Sequence, residues 1–510
     1  MLQFQLIGVD VGTSRCRAIL LDSSGNLLAE NSVSYPVLSP QPGWQEQDPY
    51  TVFQAFTQVL QATVRLASPK IPIVIGLSTY LNSLIPVDLK GEPLANCIIW
   101  SDLRSCDIVE NMKKTIKEHE LYQRTGCPLH AMYPIWKILW FKKTYPHLLT
   151  KIKKWLSIKD FIIYKFCGNY IADWSVASAS GMFNIHTLQW DDEALEIAEV
   201  RASQLPEVVS PLTIITVKDE PLKALGLDRY NVSIVIGGGD GPLSSIGSGA
   251  LGSHEADNTM GTGGAVRVLV DDPVVDKQMR TFCYIAIPGK WVVGGVTAGG
   301  LVYDWFVREW CAAEMAEAQS SGKTVHEILE EYVKTVPPGS NGLFFLPFVL
   351  GSRAPFWNMN LRGMLYGLSY HHTKKHIIRA FIEGLVYERF LAFQAVEQVV
   401  NGITSIRLSG SLSRSTVLAQ IMADVYGREL LIPMISETSA FGAAIVAAMA
   451  IGLIDRPENF GSVTQIKETI RPQLNNHKIY NSLIQRYQTL ISLFANNIAT
   501  KQGGGNAREQ

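Results

Sequence analysis

Short runs rich in apolar residues cover Gln5–Asp10 and Arg17–Asp22, and Leu27–Ser34 follows them. They read as three antiparallel strands. A helical period comes next. Val52, Phe53, Phe56, Val59, Leu60 and Val64 recur at helical spacing behind Asp48, which can cap, and Pro49, which suits a first helical position. Ile71–Ser78 reads as a buried strand. Ser157 can cap a short helix with Asp160 at the capping-box position, and Gly168 closes it. Ser233–Gly237 is a short apolar strand that runs onto the glycines before Asp240. The second half repeats the theme. Thr259–Val270 reads as a hairpin, Phe282–Ile287 with Trp291–Gly294 as another, and Thr373–Val400 as a long helix. Ser405–Ser409 is a strand, and Val417–Tyr426 is a helix ended by Gly427. The Gly- and Ala-rich run from Ala440 to Ile454 is too short to span a bilayer and predicts a buried helix lying close against a backbone.

Glycine interrupts this pattern in the same way twice. Ile7 to Asp22 passes through Asp10-Val11-Gly12-Thr13-Ser14, and Asp257 to Val270 passes through Gly261-Thr262-Gly263-Gly264. Each is a β-prone run, a Gly-Thr turn and a second run. Such turns bring backbone N–H groups close to an anion, and two facing copies would clamp a polyphosphate. Either turn alone reads more readily as a plain hairpin. Neither is followed by Gly-Lys-Ser/Thr, and the glycines open a strand rather than a helix, which excludes a Walker loop and a dinucleotide fingerprint. Asp240, behind Gly237-Gly238-Gly239, is free to project from a strand end as a base, or to cap the helix that comes next. Asp10 is the companion acid, or a turn Asp bonding its own backbone.

A chain of 510 residues exceeds one ordinary core and predicts two large domains, 1–250 and 251–497, with the boundary near 247–255. The polar tail 498–510 is expected to be disordered. A formal net charge of −1 supplies no field for nucleic acid or an anionic membrane. The 7 cysteines form no CxxC pair and no metal-ligand spacing, as expected of reduced thiols in the cytoplasm. The N-terminal stretch carries no basic region of a secretory signal.

The two loops are similar to those of the actin, hexokinase and Hsp70 ATPases, and within that superfamily the chain resembles the FGGY carbohydrate kinases. The resemblance also rests on Trp100-Ser101-Asp102-Leu103-Arg104, Met132-Tyr133-Pro134 through Trp140, Gly351-Ser352-Arg353-Ala354-Pro355-Phe356-Trp357, Leu408-Ser409-Gly410-Ser411 and Phe441-Gly442-Ala443-Ala444. It implies an α/β fold of two ribonuclease-H-like domains with a cleft between them. It implies ATP and Mg²⁺ as cofactors, Asp240 as general base, and Asp10 with Asp240 at the metal. Gly12, Thr13, Ser14 and Arg17 would meet the phosphates from one side, and Gly261, Thr262, Gly263 and Gly264 from the other. Gly410, Ser411 and Leu412 match the adenosine-binding turn.

For the acceptor, the resemblance points to Leu81, Asn82, Trp100, Asp102, Arg104, Met132 and Asp240. The alternative for Asp102 with Arg104 is a surface salt bridge at a helix start. Leu81-Asn82 departs from the Met-His pair usual in relatives, though an amide still bonds a hydroxyl. The stretches Leu121–His130 and Asp173–Asn184 are most similar to gluconokinases, the second being shared with xylulokinases. A gluconate carboxylate needs a cation or N–H donors, and Arg104, His130 and Arg353 are available. The expected partner is a small sugar or sugar acid: gluconate, with D-xylulose as runner-up. A homodimer stays open. An actin- or Hsp70-like ATPase switch is the competing class, and the acceptor motifs weigh against it.

Overall fold

The structure is a computed structural model describing residues 4–261, 263–461 and 463–503, with side chains described to residue 495. Thr262, expected in the second loop, lies outside the described residues, as do residues 504–510 of the tail.

Two mixed sheets carry the chain. In the first, Leu27–Ser34, Arg15–Leu21 and Gln5–Val11 form an antiparallel meander, and Ile73–Thr79 and Val232–Gly239 then add in parallel. In the second, Lys290–Thr297, Gly264–Val270 and Glu255–Met260 are antiparallel, and Ser405–Ser409 and Leu430–Pro433 add in parallel. Each sheet ends on an antiparallel edge strand, Ile214–Ile215 in one and Ile466–Ile470 in the other. The repeated loop motif is therefore one sign of a repeated topology. Each loop is the turn between the first two strands of its sheet.

The predicted caps are present. The Asp48 carboxylate accepts from the Tyr50 and Thr51 N–H groups ahead of helix Pro49–Val64, and Ser157 with Asp160 closes a capping box on Ile158–Cys167. Helix Lys374–Val399 fills the long apolar period of the second half. The last helix, Leu474–Gly503, runs on through residues 498–503. Among the described residues no helix is long and apolar enough to cross a membrane.

Helix Thr438–Ala450 comes after most strands of the second sheet in the chain but packs on the first sheet, over Gln5–Val11 and Ile73–Thr79. The contact is backbone against backbone. A Cβ on Gly8 would lie 1.8 Å from the Ala440 carbonyl oxygen, and one on Gly76 would lie 2.0 Å from that of Ala443. Glycine in the strands and alanine in the helix are what permit this approach. The residues just before that helix, Ser436 and Glu437, are thereby held beside the first loop.

Candidate active site

A cleft between the sheets is lined by both loops and by the strand end that carries Asp240. The glycines before Asp240 have a structural reason. The strand Val232–Gly239 slips register between Val235 and Gly238, and Gly237 takes φ +65 there. A β-bulge of this kind bends its strand and re-aims the side chains beyond it. Gly239 lies under Leu81, whose Cδ2 would be 2.3 Å from an added Cβ. Asp240 opens helix Asp240–Gly247, and its Oδ1 accepts the Gly241 N–H at 2.7 Å. Burial raises its carboxyl above the usual range, while Arg267 and the Gly241 N–H pull it down.

Asp10 faces the same cleft. Burial and the Asp240 carboxylate push it up to about 7, against the Ser78 hydroxyl, which donates to it at 2.7 Å, and Arg17. Two half-buried acids facing each other mark a place where a cation would be stabilised. Among the described residues no group of three His, Cys, Asp or Glu could hold a metal by itself. The two carboxylates of Asp10 and Asp240 are the residues that could hold Mg²⁺, an ion that keeps several waters and takes further oxygens from phosphates.

Around these acids the cleft gathers Gly12, Thr13, Ser14, Arg17, Gly261, Gly263, Gly264, Gly410 and Ser411, all expected at the nucleotide. Thr13 is held by Gln47 Nε2, which donates to its carbonyl at 2.5 Å, and by Trp100 Nε1, which donates to its hydroxyl at 2.8 Å. Arg17 is ion-paired with Glu437. Arg389, fully buried, supports the second loop by donating to Asn258, to the Thr259 carbonyl and to the Ala298 carbonyl. Leu412 is not in the lining; it packs against the apolar core of the second half.

Of the expected acceptor residues, Leu81, Asn82, Trp100 and Met132 line the cleft. Asn82 sits at φ 63, a conformation Asn tolerates better than most side chains, and its Nδ2 donates to the Ala179 carbonyl at 2.6 Å. Buried Lys137 secures the same turn by donating to the Asn82 and Ile99 carbonyls. Asp102 and Arg104 stand outside the cleft lining. Asp102 is fully buried and pairs with Arg104 at 2.7 Å, while Arg104 also reaches Glu46 at 2.8 Å and lies over the ring of Trp44. Their charges are spent on each other in an ion pair that is buried, not at the surface as the salt-bridge reading expected. His130 is buried, its Nδ1 accepts the Met132 N–H at 3.1 Å, and desolvation pushes its pKa down to about 3. A neutral imidazole is no counter-ion for a carboxylate.

Sequence reasoning did not single out Arg267, Arg389, Ser436 or Glu437. Arg267 had a signal: a lone charge in the apolar strand Gly264–Val270.

The profile of the FGGY family of carbohydrate kinases, N-terminal domain, matches residues 5–247, and that of the C-terminal domain matches residues 256–451. A gluconokinase of Bacillus subtilis (strain 168) is 35% identical over 96% of this chain and 95% of its own. Among solved structures, gluconate kinase from Lactobacillus acidophilus superposes with a TM-score of 0.88 at 30% identity, covering 98% of this chain and 99% of that one. A ligand-bound xylulose kinase from the same organism gives 0.88 at 30%, covering 97% and 99%. With the duplicated actin-like ATPase topology and both family profiles in place along its length, the chain belongs to the FGGY family of carbohydrate kinases and is a phosphotransferase with an alcohol acceptor.

Proposed function

We propose that the chain transfers the γ-phosphoryl group of ATP to the terminal hydroxyl of D-gluconate, giving 6-phosphogluconate and ADP. The observation that carries this reading is the nearly full-length 35% identity to a gluconokinase. The cleft is compatible with it. Asp240 accepts the proton as the hydroxyl oxygen bonds to phosphorus and the bond to the β-phosphate oxygen breaks. The N–H groups around Gly12–Ser14 and Gly261–Gly264 receive the phosphate oxygens, Arg17 adds charge to them, and Gly410 with Ser411 flanks the adenosine. Asp10 and Asp240 would hold Mg²⁺, which when bound neutralises charge on the polyphosphate. Leu81, Asn82, Trp100 and Met132 surround the acceptor. D-xylulose is the second reading, favoured by the equal superposition on a xylulose kinase.

An ADP-release assay with gluconate, xylulose, glycerol, ribulose, rhamnulose and fuculose tests both readings. Gluconate is expected to give the highest kcat/KM. A higher value for xylulose would overturn the assignment. ADP release independent of every acceptor would restore the ATPase-switch class.

A further inference from the structure

The stretch Asp173–Asn184 contributes nothing to the cleft lining, yet it reaches the strand end that bears Asp240. The peptide unit between Gly238 and Gly239 is the last but one before Asp240. Both of its polar groups are met by side chains. The Gly238 carbonyl accepts from the Lys159 ammonium at 2.9 Å, and the Gly239 N–H donates to the Ser175 hydroxyl at 3.0 Å. Lys159 and Ser175 are fully buried. A donor on one edge of a peptide plane and an acceptor on the other fix its rotation about the chain.

The side chains that grip this peptide are themselves held. Lys159 lies in the first turn of helix Ile158–Cys167, behind the capping box of Ser157 and Asp160, and ion-pairs with Asp173 at 2.8 Å. The other Asp173 oxygen accepts the Val176 N–H at 3.0 Å and caps the short helix Trp174–Ser178, which carries Ser175. One acid therefore orders both grips. A well-packed apolar pair often serves a core as well as a buried ion pair does, so the charges here call for a role beyond stability. Little slack remains. A Cβ on Gly238 would lie 3.2 Å from both Cβ and Oγ of Ser175, and Gly239, the one residue between the gripped peptide and Asp240, is covered by Leu81.

A general base must sit within hydrogen-bond reach of the proton it takes, and a misplacement of about 1 Å costs on the order of 10²-fold in rate. We propose that Lys159 and Ser175 are positioning residues for Asp240: they hold the 238–239 peptide so that the carboxylate leaves the strand aimed at the acceptor hydroxyl. This rests on the reading of Asp240 as the base, and the test separates the two.

The measurement is a double-mutant cycle on kcat. ADP release is followed for wild type, Ser175→Ala, Asp240→Asn and the combined variant, on whichever acceptor gives wild type its highest kcat/KM. Ser175→Ala is expected to lower kcat about 10–100-fold and to move the KM of ATP and of acceptor less than about threefold. With Asp240 already replaced, the same substitution should change kcat less than about threefold, because no base is left to aim. Lys159→Met made together with Asp173→Asn removes both charges, so neither is left buried alone, and should follow the same pattern. That variant decides the matter if Ser175→Ala does not fold, which thermal melting of each protein checks. A Ser175→Ala protein that melts lower but keeps wild-type kcat would overturn the proposal. So would an equal loss of kcat with and without Asp240. An Asp240→Asn protein within about tenfold of wild type would instead remove the base reading beneath it, before any other variant is read.

Discussion

Asp10 and Asp257 each lie on the first strand of their sheet, Asp10 two residues before Gly12 and Asp257 four residues before Gly261, where Thr259 holds the place that matches Asp10. Their surroundings are opposite. Asp257 is fully buried and accepts from Ser244, Thr259, Arg267 and Ser409, at 3.1, 3.0, 3.1 and 3.2 Å. Asp10 accepts from Ser78 and faces another carboxylate. One aspartate is consumed by the fold; the other is left with negative charge to place. The loops differ in the same sense. The first carries an acid, and hydroxyls and side-chain amides pin it. The second has no acid between Gly261 and Gly264, is backed by the Arg389 guanidinium, and stands beside Arg267 and Arg353. A wall that favours a cation thus faces a wall that favours an anion, and a metal–polyphosphate has both.

The largest expected effect lies on the acidic wall. Asp240→Asn keeps the shape of the strand end but cannot take a proton. It should lower kcat by about 10²–10⁴-fold with ATP affinity near wild type. Activity within about tenfold of wild type would remove Asp240 from the mechanism. Asp257→Asn should do the reverse. It leaves Arg267 without its ion-pair partner, and breaking a buried pair from one side costs roughly 3–5 kcal/mol. Denaturant titration should show that loss of stability, whereas kcat of the remaining folded protein should fall far less than in Asp240→Asn. A stable, inactive Asp257→Asn would mean that the two aspartates share a catalytic role.

The second loop offers a smaller effect. A Cβ on Gly264 would fall 1.4 Å from Arg389 Nη2 and 2.4 Å from the Ala298 carbonyl oxygen. Arg389 is committed to three acceptors, so it cannot swing aside without leaving buried carbonyls unpaired. Gly264→Ala should therefore cost about 1–3 kcal/mol and weaken ATP binding about tenfold while sparing acceptor binding. Calorimetry that finds ATP affinity unchanged would separate this loop from the phosphates.

Much of this arrangement was legible in the chain because it is local. The strands announce themselves as short apolar runs, the helices by Asp48, Ser157 and Gly427, and the two loops by glycines at matching places. The freedom of Asp240 to project from its strand end is written in three consecutive glycines, though not the bulge that they form. What is not local was not legible. Nothing near Asp102 and Arg104 says that Glu46, 58 residues before Arg104, completes a buried pair, so charges that look available are not. Glu437 is one charge among many until helix Thr438–Ala450 crosses to the first sheet and sets it against Arg17. Leu412 comes directly after two residues that line the cleft, but its own side chain turns to the core. In each case the pattern shows residue type, and partners decide whether that residue is free to do chemistry.

The subtlest expectation concerns Asp10 in the ligand-free protein. Its folded pKa, about 7, lies above the ordinary carboxylate value of 3.8. A folded state that holds its proton more tightly than the unfolded chain loses stability as pH rises through that window. The penalty is absent below the ordinary carboxylate value, grows as pH rises towards the folded one and is constant above it. Asp10→Asn removes the ionisation, so the variant should match wild type near pH 4 and become the more stable of the two by neutral pH. Because Asp10 is only half-buried in a cleft open to water, the gain is set at about 1 kcal/mol rather than the full shift. The same variant should be a poor kinase, since the charge that destabilises the empty cleft is the one proposed to attract the metal. Asp257→Asn, by contrast, should be less stable than wild type across the range. Melting both variants from about pH 4 to about pH 8, without ligand and then with Mg²⁺ and a non-hydrolysable ATP analogue, puts the contrast to the test. Wild type should gain more from the ligands than Asp10→Asn does. An Asp10→Asn protein that melts below wild type at neutral pH in the empty state would show that Asp10, like Asp257, is consumed by the fold.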